Sequence, residues 1–312
     1  MLQWGKSIPH GGEMRYLMAQ MFFLRYPEGR ERAVTLSYDD GLPADRRLVS
    51  LLDGAGMHAT FNVNSMIAAS ETAPPYDPEK VVRENMWARM KKSEMLALFR
   101  NSGHEVACHG AWHWSQAMLS DGDIANEVIT DRQCHERDYG GICRGLAYPN
   151  GSYDTRVASL LGRLGIAYAR TTKETENFRL PVDFLLWDTT CRHANPRLAE
   201  LTDRFLDTPV GIREDGRLFA LWGHTSEFEV DKNWDVIETF VSRVGGRPEE
   251  IWYPTNIQLV DYVNAYRALR FDLAHTYVEN PTGLDVWFEA LGKVWCVKAG
   301  GSLFITNETA VN

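Results

Sequence analysis

From Ala33 onward the apolar positions alternate between short β-prone runs and longer stretches with helical spacing. The run 33–38 predicts a strand. The stretch 43–52 puts Leu48, Leu51 and Leu52 on one side of a helix that Gly54 and Gly56 stop, and 58–63 predicts a second strand. A right-handed crossover makes these two strands parallel. The same alternation predicts strands over 105–108, 142–147, 166–169, 184–187, 218–222 and 251–253. Helices are predicted over 93–99, 121–135, 153–164, 196–206, 234–244 and 257–269. Repeated β-α units without an intervening linker predict one α/β barrel.

Three stretches break the rhythm. Residues 1–32 carry no strong pattern and read as an N-terminal wrap or edge element. Residues 65–92 are polar, hold Pro74, Pro75 and Pro78, and exceed an ordinary connection, which makes them a candidate lid or substrate-facing insertion. After Arg270, short alternating runs over 273–278, 286–290, 294–298 and 303–306 predict a small antiparallel appendage. The expected organisation is a barrel with its N-terminal wrap over 1–270 and the appendage over 271–312.

Composition narrows the partners. Hydrophobic residues make up 44% and charged residues 24%, the balance of a chain able to bury a large core. A net charge of −9 argues against nucleic acid and against an anionic membrane surface, since phosphate binding needs a basic field. Five cysteines without a Cys-x-x-Cys pair indicate neither a zinc ribbon nor a disulfide framework. The apolar segment 17–24 is bracketed by Arg15 and Arg25, is too short for a membrane helix and is not followed by a cleavage site. The chain as given therefore reads as cytoplasmic; its oligomeric state is open. Ten tryptophans and twelve tyrosines supply flat faces suited to sugar rings.

Chemistry enters at strand ends. The first strand runs into Asp39-Asp40-Gly41, which delivers two carboxylates to a strand terminus. The strand 105–108 runs into His109-Gly110-Ala111-Trp112-His113. Spacing of four on a helical turn would place both imidazoles on one face, where they can converge on one cation. A carboxylate from Asp39 or Asp40 would complete three protein ligands and leave a position for water, the arrangement of a catalytic zinc.

The stretches Ser37-Tyr38-Asp39-Asp40-Gly41 and Gly103-His104-Glu105-Val106-Ala107-Cys108-His109-Gly110-Ala111-Trp112-His113 resemble the first two motifs of the polysaccharide deacetylase family, carbohydrate esterase family four, with its NodB-homology domain. The likeness continues through Tyr148-Pro149-Asn150-Gly151 to Leu221-Trp222-Gly223-His224. It implies a distorted (β/α) barrel of about seven strands and metal-assisted removal of acetyl groups from an N-acetylated saccharide, O-acetyl groups being a further target. It also implies a divalent metal, zinc foremost, held by Asp40, His109 and His113, with Asp39 as general base and His224 as general acid.

The third motif departs from the family pattern. Ala147 stands where the family has an arginine that pairs with the catalytic aspartate, which leaves Arg170, at a strand end, and Arg144 as candidates, the former preferred. Asn150 replaces a tyrosine whose backbone N–H serves the oxyanion, a role independent of side-chain identity. Asp188 is the candidate carboxylate behind His224. Tyr148, Trp222 and His193 are candidate substrate contacts beside Arg144. Two other activities suit the same scaffold: saccharide binding without turnover, and hydrolysis of a small cyclic amide.

Overall fold

The computed structural model describes residues 22–211 and 213–305, and the chain divides into two compact units. The larger comprises Arg32–Pro209 and Arg217–Val260; the smaller comprises the described parts of Met1–Glu31, Val210–Gly216 and Asp261–Asn312.

The described chain enters on β1 (Phe23–Arg25) and then builds the larger unit. Its first half runs β2 (Arg32–Asp39), α1 (Asp45–Gly54), β3 (Thr60–Val63), α2 (Lys92–Phe99), β4 (Glu105–Cys108), α3 (Asp121–Tyr139) and β5 (Gly145–Ala147). It continues through α4 (Thr155–Arg163), β6 (Tyr168–Glu174), β7 (Trp187–Thr189), β8 (Cys191–Arg192), α5 (Leu198–Asp207), β9 (Arg217–Gly223), α6 (Thr225–Asp231), α7 (Asp235–Val244) and β10 (Ile251–Trp252). The helix α8 (Asn256–Arg267) follows.

The sheet is parallel throughout, in the order β7-β6-β5-β4-β3-β2-β9-β8, with β10 beside β2. Its two ends are one continuous extended stretch. Trp187–Thr189 pairs with β6, and Cys191–Arg192 pairs with β9; between them Thr190 accepts from the Glu176 N–H and donates its own to Ala220, each at 2.9 Å. That switch of partner closes the sheet into the distorted seven-stranded α/β barrel the sequence implies. The strand β2 sits at its centre, buried from Ala33 to Asp39, as a parallel strand covered on both faces must be.

Helices seal the outside. Leu48 and Leu52 of α1 join Phe240, Val241 and Val244 of α7 and Phe219 of β9 in one core cluster. A second cluster packs Ile124 and Val128 of α3 and Val157 and Leu161 of α4 beneath Cys108 and Leu146. Capping is local chemistry: Ser120 accepts from Asp123 N–H at the start of α3, and Asp154 from Val157 N–H at the start of α4.

Several elements differ from expectation. Residues Phe184–Leu186 form a single 3-10 turn because Asp183 caps it, and the strand begins only at Trp187. Ile142 is exposed after two glycines of positive φ, so β5 is shorter than 142–147. Seven residues after His224 form α6, which the apolar pattern does not mark. The insertion 65–92 is irregular, with one 3-10 turn at Pro78–Lys80.

In the smaller unit β1 pairs antiparallel with β13 (Val286–Ala290), and β13 with β14 (Lys293–Val297). A separate antiparallel sheet holds β11 (Arg270–Phe271), β12 (Tyr277–Glu279) and β15 (Ser302–Phe304). Leu273 is fully exposed, so the expected run 273–278 contributes only its last residues to β12. The N-terminal residues before 22, the apolar segment 17–21 among them, and Thr306 lie outside the described residues.

Candidate functional site

Parallel register brings the motif residues to one end of the barrel. Tyr38 on β2 pairs with Gly223 on β9, so the residues that follow them, Asp39 and His224, leave adjacent strands side by side. The strand β4 ends at Cys108, directly before His109, and Arg170 lies on β6. Asp39, His109 and His224, together with Trp87 and Arg89, line a cavity of about 450 Å³.

Backbone conformation aims the two aspartates apart. Asp39 closes the strand with extended geometry, whereas Asp40 adopts φ 86° while its N–H donates to Asn62 at 2.8 Å. His113 (φ 60°) and Asn150 (φ 55°) are also left-handed, at a cost on the order of 1 kcal/mol each. The histidine pair does converge, but through a tight loop and not on a helix, because Gly110 (φ 70°) and His113 turn the chain. A side chain at Gly110 would collide with Glu127, whose carboxylate accepts the Trp112 N–H.

Three donor atoms meet there. Asp40 Oδ1 stands 3.7 Å from Nε2 of His109 and 3.6 Å from Nε2 of His113. Ligands of a tetrahedral zinc, each about 2.0–2.1 Å from the ion, stand about 3.4 Å apart, so the set fits a divalent cation. The far nitrogen of His109, Nδ1, faces the Ala147 carbonyl at 2.8 Å, which fixes the ring and directs Nε2 inward. Burial and the neighbouring His109 push the His113 imidazole down to about 4, leaving a neutral ring with a lone pair to offer.

A buried polar frame holds this loop. Asp131 on α3 accepts the N–H groups of His109 and Ser65, and Asn64 donates to the carbonyls of His109 and Gly110. Burial alone would lower the His135 pKa, but the Asp131 carboxylate beside it outweighs that and raises it to about 9. The neighbouring group of Cys108, Asp131 and His135 is thus a structural ion pair whose oxygens are already committed.

Asp39 faces the other way. Both of its oxygens accept from Arg170 Nη2, the Oδ1 contact at 2.6 Å, and Asn62 Nδ2 donates to Oδ1 at 2.8 Å. Burial pushes this carboxyl up; Arg170, with His109 and His224, outweighs it and holds the pKa down at about 2. The guanidinium of Arg170 lies over the Trp222 ring at 4.6 Å. Arg170 is therefore the arginine at Asp39, and Arg144 is not: it precedes β5 at the opposite end of the barrel, where its carbonyl accepts from Ala167.

His224 Nε2 stands 3.8 Å from Asp39 Oδ2. Its Nδ1 meets Glu227, 3.2 Å away on the first turn of α6, and not Asp188. Asp188 points out of the barrel interior, accepts from Thr171 Oγ1 at 2.6 Å and pairs with Lys173. Burial lowers the His224 pKa, but Glu227 and then the two aspartates outweigh it and leave it raised. Glu227 is itself held well below the usual carboxylate range: burial opposes this, and His193 and His224 prevail.

The substrate candidates separate. Trp222 lines the cavity beneath Arg170. His193 does not: it is buried between Tyr38 and Phe228, with Nε2 2.9 Å from Glu227. Tyr148 lines the cavity, but its hydroxyl is committed elsewhere, donating to Leu185 O at 2.7 Å. Asn150 lines the cavity with its side chain turned to Ser115 and His113 O. Trp87 stands edge-on to His224 at 5.0 Å. Sequence reasoning missed Glu227, although its spacing of three from His224 is a usable signal, and missed Arg89, which lies in a loop without periodicity.

The family model described as polysaccharide deacetylase matches residues 26–169. Among solved structures the chain is similar to one assigned as a polysaccharide deacetylase from Mycobacterium smegmatis, at 17% identity over 78% of this chain and 94% of that one, with a TM-score of 0.52. It is also similar to a peptidoglycan deacetylase from Bacillus subtilis (16%, 76% and 93%, 0.46). A third is a pseudoenzyme of carbohydrate esterase family four from Bacillus anthracis (15%, 77% and 68%, 0.44). The first likeness is one of fold. No curated protein matches the chain. Among the described residues no helix is long and apolar enough to cross a membrane.

Proposed function

Residues 26–169 match the polysaccharide deacetylase family model, and from that match we propose that the chain is a metal-dependent hydrolase removing acetyl groups from an N-acetylated saccharide. The observation that carries this reading is the convergence of Asp40 Oδ1 with both Nε2 atoms on one wall of a cavity whose other wall holds Asp39 and His224.

Asp40, His109 and His113 would hold a divalent cation, zinc by donor set, which when bound acidifies water and polarises the acetyl carbonyl. Asp39, ionised at neutral pH and held in place by Arg170, accepts the proton of the attacking water. His224, kept protonated by Glu227, delivers a proton to the departing amine nitrogen. The Asn150 N–H, which no acceptor among the described residues engages, is available to the oxyanion. Trp222 and Trp87 give the cavity flat faces for a sugar ring. A saccharide holder without turnover drew on the missing arginine and the replaced tyrosine of the third motif; Arg170 of β6 brings a guanidinium to Asp39, and a backbone donor at Asn150 does not depend on its side chain.

The direct test is acetate release by zinc-loaded protein from a panel of N-acetylated and O-acetylated sugars, with a small cyclic amide as a further arm. Turnover of the acetylated sugars is expected. Zinc-loaded protein inert on the whole panel sinks the catalytic reading.

The source of His224's raised pKa gives a separate prediction. As a general acid, His224 works while protonated, so activity falls on the alkaline side as it loses its proton. Glu227→Gln removes the carboxylate that raises it, so the alkaline limb of the pH–rate profile is expected to move to lower pH. Asp188→Asn should leave that limb in place. A limb that follows Asp188 and ignores Glu227 reverses the assignment.

A further inference from the structure

The ligand oxygen of Asp40 already carries a cation. Oδ1, the atom that faces both imidazoles, also accepts a hydrogen bond of 2.6 Å from Nη2 of Arg89. The guanidinium is braced by its own surroundings: Nη1 donates to Trp87 O at 2.6 Å, and Nη2 also reaches Asn64 Oδ1 at 3.3 Å. Arg89 is 10% exposed, and its Nε is buried without a partner.

A charge-assisted hydrogen bond of this kind occupies a lone pair of the very oxygen a metal needs and sets a full positive charge beside the point where the three donors converge. A divalent ion entering that point meets like-charge repulsion at close range and in a water-poor setting, where it is weakly screened. Arg89 is not part of a helix or strand; it stands in the irregular insertion between β3 and α2, so its side chain can leave Oδ1 without unpairing the sheet.

We propose that Arg89 is a latch that competes with the divalent cation for Asp40 Oδ1, and that metal uptake expels its guanidinium from that oxygen. The inference rests on the metal reading of the site. It makes the affinity of the intact protein lower than its three donors alone would give. It also couples metal loading to the wall of the cavity, because the residue that braces the latch, Trp87, is the one edge-on to His224.

Zinc titration of the apo protein against a chromogenic chelator, at fixed pH and ionic strength, tests the latch without reference to turnover. Arg89→Gln removes the charge, Arg89→Met removes it while keeping the length of the stem, and Arg89→Lys retains it. The Gln and Met variants are expected to take zinc at least about tenfold more tightly than the parent, and the Lys variant to stay within about threefold of it. Equal or weaker binding by both uncharged variants, with their thermal unfolding intact, overturns the latch alone. Zinc uptake by neither parent nor variants overturns the metal reading and the latch with it.

Discussion

Replacing His109 with alanine is expected to abolish zinc uptake and acetyl hydrolysis together. In the proposed site the ring would supply one of three protein donors, and a catalytic site has no spare ligand to replace it. Removing partners that merely orient a ligand already costs about 10–100-fold in affinity, so losing the ligand itself should cost about a thousandfold or more. The substitution also orphans the Ala147 carbonyl, at about 1–3 kcal/mol, so the variant is compared with the parent by circular dichroism before its metal content is measured. A folded His109→Ala protein that keeps stoichiometric zinc contradicts the ligand set.

Asp39→Asn should separate metal from chemistry. The side chain faces Arg170, not the two imidazoles, so zinc affinity is expected to stay within about tenfold of the parent while kcat falls by about 10²–10⁴, the range of a lost general base. Stability moves as well. A carboxyl held at about 2 in the folded protein, against 3.8 ordinarily, contributes on the order of 2 kcal/mol at neutral pH. Because the folded pKa is the lower one, that contribution is fully present above 3.8 and is lost as pH falls toward 2. Urea unfolding at a series of pH values should show a shallower acid dependence in the variant than in the parent, since other depressed carboxylates such as Glu227 remain. The variant also leaves Arg170 buried opposite a neutral amide, and removing one partner of a buried pair costs about 3–5 kcal/mol in all, the pH-linked share included.

Much of this arrangement is legible in the chain because parallel β-α units force it. The C-terminal strand ends of a parallel barrel share one face; the family resemblance is what joined Asp39 and His224 in the sequence, and the pairing of β2 with β9 is what brings them side by side. The same rule chose Arg170 over Arg144, since Arg170 ends a predicted strand whereas Arg144 lies inside the predicted run 142–147. It failed at Asp188 for a reason visible in β7: Trp187 and Thr189 face inward, so the residue between them faces out, and a one-residue difference of phase moves a carboxylate to the other side of a sheet. Glu227 escaped because α6 is seven residues long and too short to show a period. Arg89 escaped for want of any pattern; its position is set by contacts with Trp87, Asn64 and Asp40 that the folded barrel creates. The helical geometry inferred for His109 and His113 was unnecessary, since two left-handed residues bring the rings together in a loop.

The central claim is that the adjacent aspartates have different tasks, Asp40 binding the metal and Asp39 moving the proton. Anomalous diffraction at the zinc edge from crystals of the zinc-loaded protein tests it most directly. The expected result is one peak about 2.0–2.2 Å from Asp40 Oδ1 and from Nε2 of His109 and His113, with Asp39 still on Arg170. A peak ligated by Asp39, or centred away from the two imidazoles, would contradict it.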